Sequence, residues 1–292
     1  MGNAERRNRT SKVIPNTRQK MKYKDAIVAF YDILGFGNYV EINKVDPQKV
    51  HDLFERIASS AKFGKHQTKD YDQRFIHFSD TFVRTTPIFD EKGEPIGFGS
   101  LFNEILSAIH IQINLIATGE IFLRGSITHG KIQHSTTEIF GPALVAAYKL
   151  ETEIAVFPRI IVDPETLKAM RDTGIFCRMG QDSTTNRIFC EDLLRQGDDG
   201  IWFVDYLHHA VSELGNDEDY LQFLGEHKEA IIQQAEKAEK ISRVSHKYTW
   251  LAKYHNDVVL NIREDYFRGH DCEKGTFLIT EKDIPINHSG AV

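Results

Sequence analysis

Cysteine is scarce: the 292-residue chain has three, Cys177, Cys190 and Cys272, and no Cys-x-x-Cys pair. An odd, scattered set suits reduced thiols in a cytoplasm better than a disulfide framework. Zinc-type ligand spacing is missing as well, and His77, His129 and His134 read as strand and loop histidines. There is no excess of positive charge. A formal net charge of −6 argues against a general nucleic-acid binder, because phosphate contacts need a basic surface. No apolar run approaches a membrane span, and the N-terminus lacks the apolar centre of a signal peptide. The expectation is a soluble cytoplasmic chain that engages neither nucleic acid nor membrane. Internal repeats and low-complexity tracts are absent too. What is there is an ordinary globular composition, 41% hydrophobic and 27% charged. The length allows one large domain with additions, or two small ones.

One stretch organises the rest: Ala29-Phe30-Tyr31-Asp32-Ile33-Leu34-Gly35-Phe36. Ile27 to Tyr31 read as a buried strand, apolar with β-branched and aromatic side chains. A carboxylate, Asp32, stands at its end, and Gly35 and Gly37 follow at once. Two glycines after a strand let the backbone turn sharply, so that its N–H groups can face an anion. A carboxylate beside such amides suits a metal–triphosphate. The same residues also suit a plain strand-to-helix turn capped by the aspartate. A second stretch, Phe75 to Val83, reads as a hairpin with Ser79-Asp80 at its tip. Neighbouring strands would let Asp32 and Asp80 share two cations about 3.5–4 Å apart, an arrangement that stabilises both oxygens of a displacement at phosphorus.

The rest reads in order. Residues 1–22 form a basic tail, with Arg6, Arg7, Arg9, Lys12, Arg18, Lys20 and Lys22 against Glu5 alone. A helix opens at Val45-Asp46-Pro47 and runs to about Lys62, and residues 64–73 are loop-like. A loop over residues 88–99 leads into a strongly apolar helix from Ser100 to Ala117, stopped by Gly119. Ile121 to His129 is a strand, Gly141 to Thr152 a helix, Arg159 to Val162 a short strand, and Pro164 starts another helix. Arg187–Cys190 and Gly200–Leu207 are expected as further strands, and Asp217 to Arg263 as helix. Within it, Tyr248 to Asn256 concentrates rings that pack on the core or on a second subunit. Strand, helix, two strands, helix, strand is the ferredoxin-like order. The fold class expected is therefore α+β: a βαββαβ core with added strands and a C-terminal helical extension.

Four motifs in sequence resemble the class III nucleotidyl cyclases over residues 23–165. They are Phe30-Tyr31-Asp32-Ile33-Leu34-Gly35-Phe36, Phe78-Ser79-Asp80, Leu123-Arg124-Gly125-Ser126-Ile127-Thr128-His129-Gly130, and Gly141 to Glu151. The resemblance implies a cyclase domain over residues 23–210, followed by a helical extension over residues 211–292. It implies a head-to-tail homodimer with composite active sites. It further implies two divalent ions, Mn²⁺ or Mg²⁺, held by Asp32, Asp80 and the carbonyl of Ile33, with the amides of Leu34, Gly35 and Phe36 around the phosphates.

The remaining positions depart from the family pattern. The ribose-orienting asparagine falls on Val145, and the transition-state arginine on Lys149, which keeps the charge but not the planar fork. The base-reading lysine falls on Ile76, and its aspartate partner near Glu138, which speaks against ATP. These departures resemble the bacterial anti-phage pyrimidine cyclases, with UTP favoured over CTP, and imply a separate cyclic-nucleotide-binding effector that reads the product. Tyr31 is expected either to narrow a base pocket or to sit in the core, and Arg124 either to contact phosphate or to pin its strand. Adenylyl cyclase activity and a catalytically inactive nucleotide-binding domain remain the alternatives.

Overall fold

The computed structural model describes residues 22–61, 73–90, 92–94, 99–119, 121–173, 183–238 and 242–284. The basic tail, apart from Lys22, and the loop expected at residues 64–73, apart from Gln73, lie outside them.

β1 (Lys24–Ile33) is central because both its faces are apolar. Ile27, Ala29, Tyr31 and Ile33 join the main core, while Ala26, Val28 and Phe30 join a smaller cluster on the opposite face. Side chains alternate along a strand, so a two-sided apolar pattern calls for cover on both sides. Helices α1 (Phe36–Ile42) and α2 (Pro47–Ala61) lead to the antiparallel hairpin β2 (Arg74–Phe78) and β3 (Thr81–Pro87). Next come α3 (Ser100–Gly119), β4 (Leu123–His134), the short β5 (Ile139–Phe140) and α4 (Pro142–Lys149). β1 lies between β3 and β4, antiparallel to each, and β2 flanks β3. The order β2-β3-β1-β4 makes β1 parallel to β2 and β3 parallel to β4, two interleaved split βαβ units, which is the ferredoxin-like arrangement.

Three strands extend the sheet: β6 (Ile160–Val162), parallel to β4, then β8 (Trp202–Val204) and β7 (Leu194–Gln196). α5 (Pro164–Thr173) and α6 (Ser183–Asp192) intervene, and α7 (Tyr206–Glu213), α8 (Asp217–Ala238), α9 (Ser242–Asn261), α10 (Glu264–Gly269) and α11 (Lys274–Phe277) complete the described chain. The strand expected at Arg187–Cys190 is the second half of α6. A run with three apolar residues, Ile188, Phe189 and Cys190, is too short to distinguish the two periodicities. The strand expected over Gly200–Leu207 is only Trp202–Val204, and the helical region expected from Asp217 to Arg263 holds α8 and α9.

α3 is long and apolar enough to cross a membrane, which the sequence reading had not anticipated; most of it is buried between the sheet and the C-terminal helices. Those helices share the core. Phe122, just before β4, meets His227 of α8 and Tyr248 of α9 edge-on. Beneath them runs a buried relay. Tyr206 Oη lies 2.7 Å from His227 Nε2, His227 Nδ1 lies 2.9 Å from His255 Nδ1, and His255 Nε2 lies 2.7 Å from the Phe277 carbonyl. A carbonyl only accepts, so His255 carries its proton on Nε2 and accepts at Nδ1 from His227, whose Nε2 then accepts the Tyr206 hydroxyl. Both rings are neutral in this chain of bonds. Burial, foremost, lowers both pKa values, that of His255 to about 4.

On the opposite face α4 covers the smaller cluster, tied down by Ser126 Oγ donating to the Ala147 carbonyl at 2.7 Å. β1 and β4 come unusually close at Gly125, where a Cβ would lie 2.5 Å from the Phe30 carbonyl oxygen. α4 then widens into a π-helical turn, Leu150–Ile154, closed by the Ala155 N–H donating to the Leu150 carbonyl at 2.8 Å.

Candidate active site

Asp32, one residue before the end of β1, lies in register with Thr81 of β3 and Arg124 of β4. The Ile33 N–H donates to the Asp80 carbonyl at 2.9 Å, which ties the end of β1 to the tip of the β2–β3 hairpin. Ser79, at that tip, holds φ +55°, in the left-handed region that non-glycine residues rarely occupy. The two aspartates are close enough to interact. Burial, and secondarily the Asp80 charge, raise the Asp32 carboxyl above the usual range, while Arg124 opposes the shift.

Arg124 is the hub of the cluster. Its Nη2 lies 3.2 Å from Asp32 Oδ2 and also pairs with Glu151 Oε1, while its buried Nε has no partner among the described residues. Glu151 comes from the π-helical turn, a distortion often found at functional sites. Its side chain is only 3% exposed, so burial raises its carboxyl too, again opposed by Arg124. A fifth group arrives from α9. Lys247 lies close enough to Asp32, Arg124 and Glu151 to interact with all three, and burial lowers its ammonium. Sequence reasoning assigned Glu151 no role, although it lies within the fourth motif. It missed Lys247, and nothing local marks that residue.

Several expected positions lie elsewhere. Tyr31 does not narrow a pocket. It is fully buried on the face opposite Asp32, stacks on Phe82 at 4.7 Å and donates its hydroxyl to Glu104 Oε1 at 3.0 Å. Strand alternation requires this, since adjacent side chains face opposite ways. Burial raises its phenol well above its ordinary value. The Leu34 amide is not free for a phosphate, because it donates to the Phe122 carbonyl at 3.0 Å. Gly35 does turn sharply, with φ +77°, and opens α1 directly ahead of Phe36. Lys149 is exposed on α4 and takes no part in the ion pairs of the cluster. Ile76 is partly buried and packs against the smaller cluster, and Glu138 is exposed in the β4–β5 turn.

Among the described residues no three His, Cys, Asp or Glu side chains cluster closely enough to hold a metal ion. The donors present are carboxylates and backbone carbonyls, and the site is anionic and desolvated at Asp32. Two carboxylates completed by water and phosphate oxygens are the usual Mg²⁺ setting, so the residues fit a hard divalent cation and not zinc.

Fold and site together define an α+β protein whose ferredoxin-like sheet carries paired aspartates at adjoining strand ends. No family model and no curated protein matches the chain. Among solved structures it is similar to a class III adenylyl cyclase-like ATP-binding protein from Pseudomonas aeruginosa, with TM-score 0.38 and 15% identity, over 50% of this chain and 35% of that one. It is also similar to a bacterial light-regulated adenylyl cyclase, with TM-score 0.36 and 15% identity, over 72% of this chain and 100% of that one. The chain thus spans about a third of the first of these. Likeness at this level bears on neither chemistry nor substrate.

Proposed function

We propose that this protein is a divalent-cation-dependent nucleotide cyclase. It would convert a pyrimidine nucleoside triphosphate, UTP in preference to CTP, to the 3′,5′-cyclic nucleotide and pyrophosphate. The observation that carries this reading is the joining of Asp32 and Asp80 at one end of the sheet through the Ile33-to-Asp80 bond. Asp32, Asp80 and the Ile33 carbonyl would hold the cations. A bound pair lowers the pKa of the attacking 3′-hydroxyl and offsets charge on the departing pyrophosphate. The chain's own residues do the rest. Arg124 orients Asp32 and restrains Glu151, and the turn at Gly35 presents the first amides of α1 to anionic oxygens.

A homodimer fits the exposed outer face of α4, where Val145 and Tyr148 are each more than half exposed beside Lys149. A partner's site set against that face would make Lys149 its transition-state cation. In the cytoplasm such a product would act as an anti-phage signal, read by a separate cyclic-nucleotide-binding effector.

A second reading, a nucleotide-binding domain without turnover, is favoured by the Leu34 amide being committed to Phe122 and by valine at the ribose position. Incubation with each of the four triphosphates and Mn²⁺, with products identified by mass, separates these readings. Cyclic UMP from the wild type, and none from Asp32→Ala or Asp80→Ala, is the expected result. Cyclic AMP as sole product refutes the base preference, and binding without product favours the second reading.

A further inference from the structure

Helix α9 is anchored on both sides of Lys247. Tyr248 is buried with its ring 6.4 Å from Phe122, two residues before Arg124. Trp250 stacks on Phe157 at 5.4 Å, with His246 edge-on to the same ring at 6.2 Å, and Phe157 follows the turn that carries Glu151. The Arg159 guanidinium fills the space between Phe157, Phe203 and Trp250, 5.5–5.6 Å from each ring centroid. A helix held this way delivers residue 247 to one place. That place is near enough to Asp32, Arg124 and Glu151 for its charge to act on all three.

Lys247 makes no ion pair and no hydrogen bond among the described residues. The carboxylates already have a shared cation: Arg124 spans Asp32 and Glu151. A lysine placed to neutralise Glu151 would contact it. This one is half-buried, and its ammonium acts on Asp32 and Glu151 through space without an ion pair to either. An ammonium is a compact point charge suited to phosphate oxygens from several directions.

We infer that Lys247 is a phosphate-binding residue, a cation supplied by the C-terminal helix of the same chain to the polyphosphate of a nucleoside triphosphate bound at Asp32 and Asp80. The inference rests on the cyclase reading for its substrate, and tripolyphosphate binding tests it apart from turnover. It gives α9 a part in the site, so the C-terminal helices are a component of the active centre and not an appendage.

The test uses the full chain. Binding of inorganic tripolyphosphate with Mg²⁺ is measured by titration calorimetry, and UTP turnover in parallel, for the wild type, Lys247→Met, Lys247→Arg and the same-helix control Lys253→Met. Lys247→Met is expected to weaken tripolyphosphate binding and raise KM for UTP by roughly tenfold or more, the usual effect of losing a charged hydrogen bond. Lys247→Arg restores most of it, Lys253→Met changes neither, and all melt together. If Lys247→Met binds tripolyphosphate within twofold of the wild type while Asp32→Ala loses turnover, the inference falls and the cyclase reading stands. A Lys247→Arg chain no better than Lys247→Met also overturns it. A wild type that binds no tripolyphosphate and makes no cyclic product sinks both.

Discussion

Replacing Arg124 by methionine tests the electrostatic account of the site most directly. Methionine keeps much of the volume and removes the charge. The guanidinium is the one described cation within ion-pair distance of Asp32 and Glu151, whose side chains are 21% and 3% exposed. Removing one partner of a buried pair costs roughly 3–5 kcal/mol. The partial exposure of Arg124 and Asp32 places this case near the lower end, about 3 kcal/mol. For a chain of this size that is a fall in Tm of roughly 6–12 °C. Adding Asp32→Asn to Arg124→Met is expected to recover part of the loss, because it leaves Glu151 without a like charge beside it. Asp32→Asn alone is expected to melt at or above the wild-type temperature, since the Asp32 carboxyl is raised chiefly by burial, so its charged form is disfavoured in the fold. The pH dependence has a definite sign. Asp32 and Glu151 both have raised folded pKa values, so their contribution is present below the unfolded value of ~4 and is lost as pH rises through the folded values. The Arg124→Met deficit should therefore narrow as pH falls toward the carboxylate range. Calorimetric melts of the four chains at two pH values decide it. An Arg124→Met chain melting within a degree or two of the wild type, or an Asp32→Asn chain as damaged as Arg124→Met, would refute the reasoning.

The buried relay predicts acid sensitivity. The folded pKa values of His227 and His255 are lowered, so stability is full above the unfolded value of ~6.5 and falls as pH drops toward the folded values. With His255 held at about 4, chiefly by burial, that ring alone removes about 2 kcal/mol between pH 7.5 and 5; an unchanged urea midpoint would exclude the neutral relay. Tyr31→Phe should lose about 2 kcal/mol by taking a hydrogen bond from buried Glu104, and leave base preference untouched; a switch in which triphosphate is used would place Tyr31 at the substrate after all. Gly125→Ala should destabilise severely, by roughly 3 kcal/mol or more, because its Cβ would meet the Phe30 carbonyl at 2.5 Å; a melt matching the wild type would mean that β4 moves away from β1 at little cost.

The sequence by itself determined β1, its terminal aspartate and the glycine turn behind it. These depend on local chemistry: an apolar run that must be buried, and a residue type able to hold positive φ. It also determined the order of the longer elements from β1 to β6, because helix and strand differ in period over long segments; the short α1 and β5 were not expected. Even the placement of Tyr31 was implicit, since alternation along β1 turns it away from Asp32. The tertiary structure alone decided what surrounds that aspartate. Glu151 is drawn inward by a π-helical turn that no residue pattern announces, and α6 is helical where a short apolar run read equally as strand. Lys247 arrives from a helix more than two hundred positions along the chain, held by ring contacts with Phe122 and Phe157. Charge partners across such distances follow from packing, which depends on the shapes of many side chains at once and not on any local stretch.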